Sequence, residues 1–338
     1  MVSPRTLRNL KQELDRSVLA KLGVVILILV ALVAILAPFV APHNPTDQNL
    51  NDSRLPPLGF SKQETRTTSK MVNGSIKIIN ETRYINATLN HPLGTDSLGR
   101  DMFSRVIYGA RTSLLVGILG TSLAAIIGVS VGLVSGYYGG KVDDTLMRGA
   151  DIMLAFPSLV LAIALIGLIG TAAVKVPDPI VMAGFATNMP ETFTLPGTVI
   201  VVVALVNWVW FARVARGEAL SVKQEEYVKA AKSIGADHSF IIRKHVLPNS
   251  ATPILVLATI QIAAIILLES ALSFLGFSGT TLSWGFDIAQ GREYLATSWW
   301  ISSIPGLAIV ITVIGINLVG DWLRDALDPG IEGEGGGP

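Results

Sequence analysis

The 338-residue chain contains no cysteine, so disulfides, thiolate metal sites and cysteine nucleophiles are excluded at the outset. Charge is scarce as well: 15% of the residues are charged, where a soluble domain carries about a quarter. The net charge is +1 and no basic stripe is interleaved with aromatics, which removes nucleic acid from the candidate partners. Histidine is limited to His43, His91, His238 and His245, all in stretches that read as loops. No catalytic pair inside an apolar segment is available, and neither a metal site nor a cofactor is expected. A nucleotide-binding loop is missing too. The nearest approach is Ser135 to Lys141, SGYYGGK, where Ser135 replaces the required first glycine and Val142 replaces the serine or threonine after the lysine. The chain is therefore not expected to be an enzyme, and it has no ATP-hydrolysing loop of that kind. What it has in excess is apolar side chain: 50% of residues are hydrophobic, and the mean hydropathy is +0.55.

Six apolar runs are long enough to cross a bilayer: Leu22–Val40, Ser113–Val134, Thr145–Thr171, Gly197–Ala212, Thr252–Leu275 and Trp299–Val319. The first follows a basic tail (residues 1–21) and is about 28 Å long as a helix. A cleaved signal peptide is the rival reading, and the run's length and the bracketing Pro38 and Pro42 favour an uncleaved span. The second run is rich in small residues, with a GxxxG from Gly128 to Gly132, which points to close helix packing. In the third, Asp151 is expected to pair with Arg148, and Pro157 interrupts the early turns. Asn207 in the fourth run, and Gln261 and Glu269 in the fifth, are the polar candidates for lining a pathway or fixing packing. Glu269 is the one acid well inside a span, where an unpaired carboxylate is costly. In the last run, Trp299 and Trp300 read as interfacial anchors, and Pro305 and Gly315 are expected to bend or loosen the helix.

Between the first and second runs, residues 41–112 read as a long outer segment. Ala41 to Asn90 is polar and irregular, with candidate glycosylation sequons at Asn51, Asn73, Asn80 and Asn86. From His91 to Leu114, Leu98, Met102, Val106 and Ile107 share one face, which predicts a helix lying in the membrane interface and capped by Asp96 or Ser97.

Glu225 to Pro248 is too charged to lie in lipid, and it falls inside the polar segment 213–250. Ala230, Ala231 and Ile234 form a helical stripe, Gly235 breaks it, and a second short helix follows after a cap at Asp237 or Ser239, ending at Pro248. Seven lysines and arginines lie between Arg213 and Lys244, whereas the two short loops on the other side carry one each, Lys175 and Arg292. This asymmetry predicts a cytoplasmic helix–turn–helix, with both tails (residues 1–21 and 322–338) on the same side.

Several stretches resemble one family. Ala230, Ala231, Gly235, Leu247 and Pro248 match the spacing of the docking loop in membrane subunits of binding-protein-dependent ABC importers, with Lys229 where the family often has Glu and His245 where it has Ile. The run GTDSLGRDMFSRVIYGARTSL, ending at Leu114, the run ESALSFLGF from Glu269 to Phe277, and DWLRDALDP from Asp321 to Pro329 resemble dipeptide and oligopeptide importer permeases of the C type. The resemblance covers Leu22 to Pro329, most weakly in the polar insert, Asn49 to Leu89. It implies an all-α membrane protein with six transmembrane helices, the type I ABC importer permease fold, and cytoplasmic coupling helices. The implied core is residues 113–321 in the cell membrane, surrounded by lipid. The implied partners are a sibling permease, two ABC ATPase subunits and an extracellular solute-binding protein. The implied ATPase-docking residues are Glu226, Lys229, Ala230, Ala231, Gly235, Leu247 and Pro248. Nickel or oligosaccharide importers share this frame, so the substrate is open. An ion-coupled carrier would need more charge in its spans than Glu269 provides.

Overall fold

The computed structural model describes residues 4–72 and 75–327. Helix α1 (Pro4–Arg16) occupies most of the basic tail, and Ser17 caps α2 (Val18–Ile35), its hydroxyl accepting from the backbone of Ala20 at 3.1 Å. Lys21 is thus inside α2. One more turn, α3 (Ala37–Val40), leads out of the bundle. The polar insert is not irregular. Strands β1 (Ser61–Val72) and β2 (Ser75–Asn86) pair antiparallel from Ser61↔Asn86 to Val72↔Ser75. Each strand has 12 residues, about 40 Å of extended chain.

Helix α4 (Met102–Tyr138) is a single 37-residue element. The separate interfacial helix expected before the second span is the first turns of α4, and its cap is Asp101, whose carboxylate accepts from the Ser104 amide at 2.8 Å. The backbone then turns at Gly139 and Gly140, both at positive φ, into α5 (Gly140–Leu154) and α6 (Ser158–Ile169). These two are bent by 94° at the break that contains Pro157, which has no N–H to continue the ladder. A second small sheet, β3 (Val174–Pro177) with β4 (Thr192–Leu195), and the turn α7 (Pro179–Met182) fill the next loop. Helix α8 (Gly197–Val222) runs three turns past the expected end at Ala212. Then come α9 (Glu226–Ser233), α10 (His238–Ile241), a five-residue wide turn (Ile242–Val246), α11 (Leu247–Asn249) and α12 (Ala251–Phe274). Helices α13 (Trp284–Gly291) and α14 (Trp300–Leu327) finish the described chain, and α14 continues through Pro305 and beyond Val319. Among the described residues, five helices are long and apolar enough to cross a membrane, and the bent pair α5–α6 makes up to six.

The core is built on α4 against α8 and α12. Gly128, Gly132 and Gly136 lie one turn apart on α4. A Cβ on them would stand 2.1, 2.2 and 2.6 Å from the carbonyl oxygens of Trp208, Ala212 and Arg216 on α8. The two helices therefore run parallel, backbone against backbone. The GxxxG read from sequence works inside this chain and extends one turn further, to Gly136. On its other side α4 meets α12, where Gly117 fits against Ile266. Val116, Val202, Val203, Ile265 and Leu272 close the centre, all fully buried.

Candidate functional site

The polar segment expected to dock a partner forms two helices around a glycine. Glu225 and Glu226 open α9, and α9 ends at Ile234. Gly235 follows at φ +81°, a conformation that costs a side chain-bearing residue about 1–2 kcal/mol. Asp237 then caps α10, accepting from the amide and hydroxyl of Ser239, which holds its carboxyl below the usual range. One face of the segment is anchored: Val228, Ile241 and Val246 are buried with Leu133 and Tyr137 of α4 and Ala215, Ala219 and Val222 of α8. The opposite face is open. Ile234 is 85% exposed, and Tyr227, Phe240 and Leu247 are also exposed. Ala230, Gly235 and Pro248 share this exposed character, Ala231 is half-buried, and nothing lies within 4 Å of where a Gly235 Cβ would be. Lys229 and Glu226 pair with each other at 2.9 Å on the exposed side, so the first of the two residues that depart from the docking-loop pattern pairs within its own helix. The His245 ring lies 5.7 Å from that of Tyr227 and 6.0 Å from that of Phe240, centre to centre.

Polar side chains tie the ends of α4, α5 and α8 together beside this segment, and His238 joins the segment itself to α4. Lys223 Nζ donates to the terminal carbonyls of α4 at Gly136 (2.9 Å) and Tyr137 (3.4 Å), where the helix dipole favours a cation. The Tyr137 hydroxyl and His238 Nδ1 are 2.8 Å apart. Arg216 makes a two-pronged pair with Asp143 of α5 (2.5 and 2.6 Å), and Ser135 donates to the same carboxylate. Asp151 pairs with Arg213 at 2.7 Å and not with Arg148 as the local spacing suggested. Asp143, Tyr137 and Lys223 were not legible as anchors, because their partners lie 73 to 101 residues away or are backbone carbonyls on another helix.

The polar candidates in the fourth and fifth spans, Asn207, Gln261 and Glu269, are buried inside the subunit. Glu269 is completely buried: Ser273 donates to it at 2.6 Å, and Ser113 and Ser270 at 3.4 Å. Asn207 donates to Val203 O of its own helix at 2.8 Å, and Gln261 is buried on α12, two turns (about 12 Å) before Glu269.

At the opposite end of the bundle, the charged residues before the second span are structural and buried. Arg105 pairs with Asp287 of α13 and donates to Pro45 O at 3.1 Å. Burial pushes the Asp287 carboxyl above its ordinary value, and the Arg105 guanidinium pulls it partly back. Arg111 pairs with Asp178, donates to the carbonyls of Ala34 and Ile35 at the end of α2, and stacks on Phe193 at 4.9 Å. Arg100 pairs with Asp96 at 2.6 Å. Trp284 and Trp300 donate to Val106 O and Thr95 O, both at 2.9 Å. Of the sequon residues, Asn51 is exposed in a short turn, Asn80 and Asn86 lie on β2, and Asn73 is outside the described residues. The glycine-rich C-terminal tail also lies outside them.

Residues 128–333 match the family of the binding-protein-dependent transport system inner membrane component, and residues 12–57 match the N-terminal TM domain of oligopeptide transport permease C. The chain is 35% identical over 318 residues to the probable D,D-dipeptide transport system permease protein DdpC of Escherichia coli (strain K12), covering 94% of this chain and 89% of that protein. It is 32% identical over 331 residues to the di/tripeptide transport system permease protein DppC of Pseudomonas aeruginosa (strain UCBPP-PA14), covering 97% and 94%. A chain of the MetNI methionine ABC transporter, solved in an inward-facing conformation, superposes with a TM-score of 0.50 at 18% identity over 67% of this chain and 98% of that one, a likeness of fold alone. The hairpin β1–β2 falls between the two matched regions. With a helical membrane bundle, a partly exposed helix–glycine–helix at one end and these relatives, the chain belongs to the family of binding-protein-dependent transport system inner membrane components.

Proposed function

We propose that this chain is one of two membrane subunits of an ATP-driven importer of dipeptides or oligopeptides. The observation that carries the reading is the α9–Gly235–α10 segment, which is fixed on one face to α4 and α8 and bare on the other. Such a segment transmits force: a partner that grips the bare face moves α4 and α8 with it, because the buried face and the His238–Tyr137 contact hold the segment on those helices. The chain itself has no nucleotide-binding loop, so the partner is a separate ATPase, and Glu226, Lys229, Ala230, Ala231, Gly235, Leu247 and Pro248 are the residues it meets. The excess of lysine and arginine around this segment supports a cytoplasmic placement for it and for both tails, with the hairpin and residues 41–101 outside, facing a solute-binding protein. A pathway enclosed with a sibling permease runs along this subunit's surface. The buried Asn207, Gln261 and Glu269 are then packing residues. The peptide substrate is carried over from the relatives' names.

The test is purification of the tagged chain from membranes in mild detergent, followed by uptake of labelled dipeptides by cells with and without it. Recovery of a sibling permease and ATPase subunits is expected, lost when Gly235 becomes Trp. Uptake of peptide, and not of nickel or an oligosaccharide, should depend on the chain. A chain that purifies alone from cells expressing its neighbours would contradict the reading.

A further inference from the structure

His43, His91 and Asp101 come together at the base of the hairpin, with one donor atom from each lying within 4.8 Å of the others. His43 precedes the hairpin, His91 follows it, and Asp101 caps α4. The Asp101 carboxylate is buried. One oxygen is 3.0 Å from His91 Nδ1 and the other 3.8 Å from His43 Nδ1, and the two imidazoles are 4.8 Å apart centre to centre. A structural carboxylate–histidine hydrogen bond needs one imidazole. Here a second ring brings its Nδ1 to the same carboxylate, and that nitrogen is buried with no hydrogen-bond partner. Two converging imidazole nitrogens and one carboxylate are a metal donor set.

We propose that His43, His91 and Asp101 bind a divalent first-row transition ion, with zinc the best match to two imidazoles and a carboxylate. In a tetrahedral zinc site neighbouring donors stand about 3.3 Å apart. The two separations, each to a different oxygen of the Asp101 carboxylate, lie on either side of that distance, and modest rotation of the imidazoles brings the three donors together. The carboxylate is oriented from behind: Ser104 donates to it through its hydroxyl at 2.7 Å and its amide at 2.8 Å, and the Ser104 hydroxyl also accepts the His43 amide at 3.1 Å. This is the outer layer of hydrogen bonds that fixes metal ligands. A cleft of about 510 Å³, lined also by Asp47 and Met189, leaves room for water or an incoming donor at the fourth position. The ion would tie both roots of the hairpin to the first turn of α4. This inference does not depend on the transported substrate.

The test uses the full chain in its detergent-purified complex, carrying a tag without histidine, stripped with chelator and dialysed against micromolar zinc. One zinc per chain is expected by elemental analysis, with cobalt giving visible d–d bands in its place. His43→Gln and His91→Gln should each weaken zinc affinity at least tenfold, whereas His245→Gln should leave it unchanged. Asp101→Asn keeps a helix-capping side chain and removes the charge, so a loss of zinc there separates ligation from folding. Zinc should raise the melting temperature of the wild type and not of His43→Gln. Absence of stoichiometric zinc, or zinc that persists in both histidine variants, would overturn the proposal.

Discussion

Gly235 and Arg105 are the two residues whose replacement is most informative. At Gly235 a Cβ meets nothing within 4 Å, so Gly235→Ala acts through the φ of +81° alone. It should destabilise the turn by about 1–2 kcal/mol and reduce ATPase recovery, while the melting temperature of the bundle changes little. Gly149, which also has open space but an ordinary backbone, is the control: Gly149→Ala should leave recovery unchanged. Arg105→Ala leaves the Asp287 carboxylate buried without its cation. A loss of about 3–5 kcal/mol is expected at neutral pH, measured as thermal unfolding in detergent. Asp287 has a folded-state pKa above its unfolded value of about 3.8, so its penalty is full above the folded pKa and vanishes below the unfolded one. Removing the guanidinium raises the folded value further. The cost of Arg105→Ala should therefore shrink as pH falls toward 4, and a cost that grows in acid would contradict the pairing.

Among the elements, the α4–α8 contact is the tightest. The glycine stripe leaves no space between a Cβ at position 132 and the Ala212 carbonyl, and backbone cannot step aside as a side chain can. Gly132→Ala should cost about 1–3 kcal/mol, and Gly132→Leu should part the helices and abolish a cooperative melt. The stripe was half legible: Gly128 and Gly132 stand in a recognisable motif, but Gly136 is hidden in a run that reads as a turn. In the polar segment 225–248 the first helix, the break at Gly235 and the cap at Asp237 were legible, because caps and a breaker are local signals. The second helix was expected to run to Pro248, but α10 stops at Ile241, a wide turn follows, and Pro248 sits inside α11. The buried start of α4 was not legible. Arg105 and Asp101 lie off the apolar face read from sequence, and their partners Asp287 and His91 are brought to them only by the tertiary fold. The hairpin has a local signal in the sequence: an Asn-Gly pair between Val72 and Ser75, a combination favoured in two-residue hairpin turns. The 94° break at Pro157 was visible as an interruption but not as a near right angle, since proline fixes where a helix stops and packing decides where the chain goes next.

For the molecule as a whole, hydropathy alone laid out the candidate spans, because lipid demands long apolar helices and permits little else. It did not reveal which spans touch, since lipid-facing and helix-facing positions are equally apolar. The absence of cysteine is here an experimental asset: any introduced cysteine is unique in the chain. An impermeant maleimide applied to intact cells should label Tyr84→Cys on the hairpin, and should reach Lys232→Cys on α9 only after the membrane is opened. Equal labelling of both positions would contradict the assigned orientation.

The α9–Gly235–α10 segment is proposed as the place where an ATPase subunit grips this chain. A single cysteine at Ala230, placed in the assembled complex and treated with a short thiol-to-amine crosslinker, tests it most directly. The expected result is a covalent adduct with the ATPase subunit whose yield changes when ATP is added, and no such adduct from a cysteine at Tyr84. An ATPase that co-purifies yet forms no adduct from Ala230, or forms it equally from Tyr84, would contradict the account.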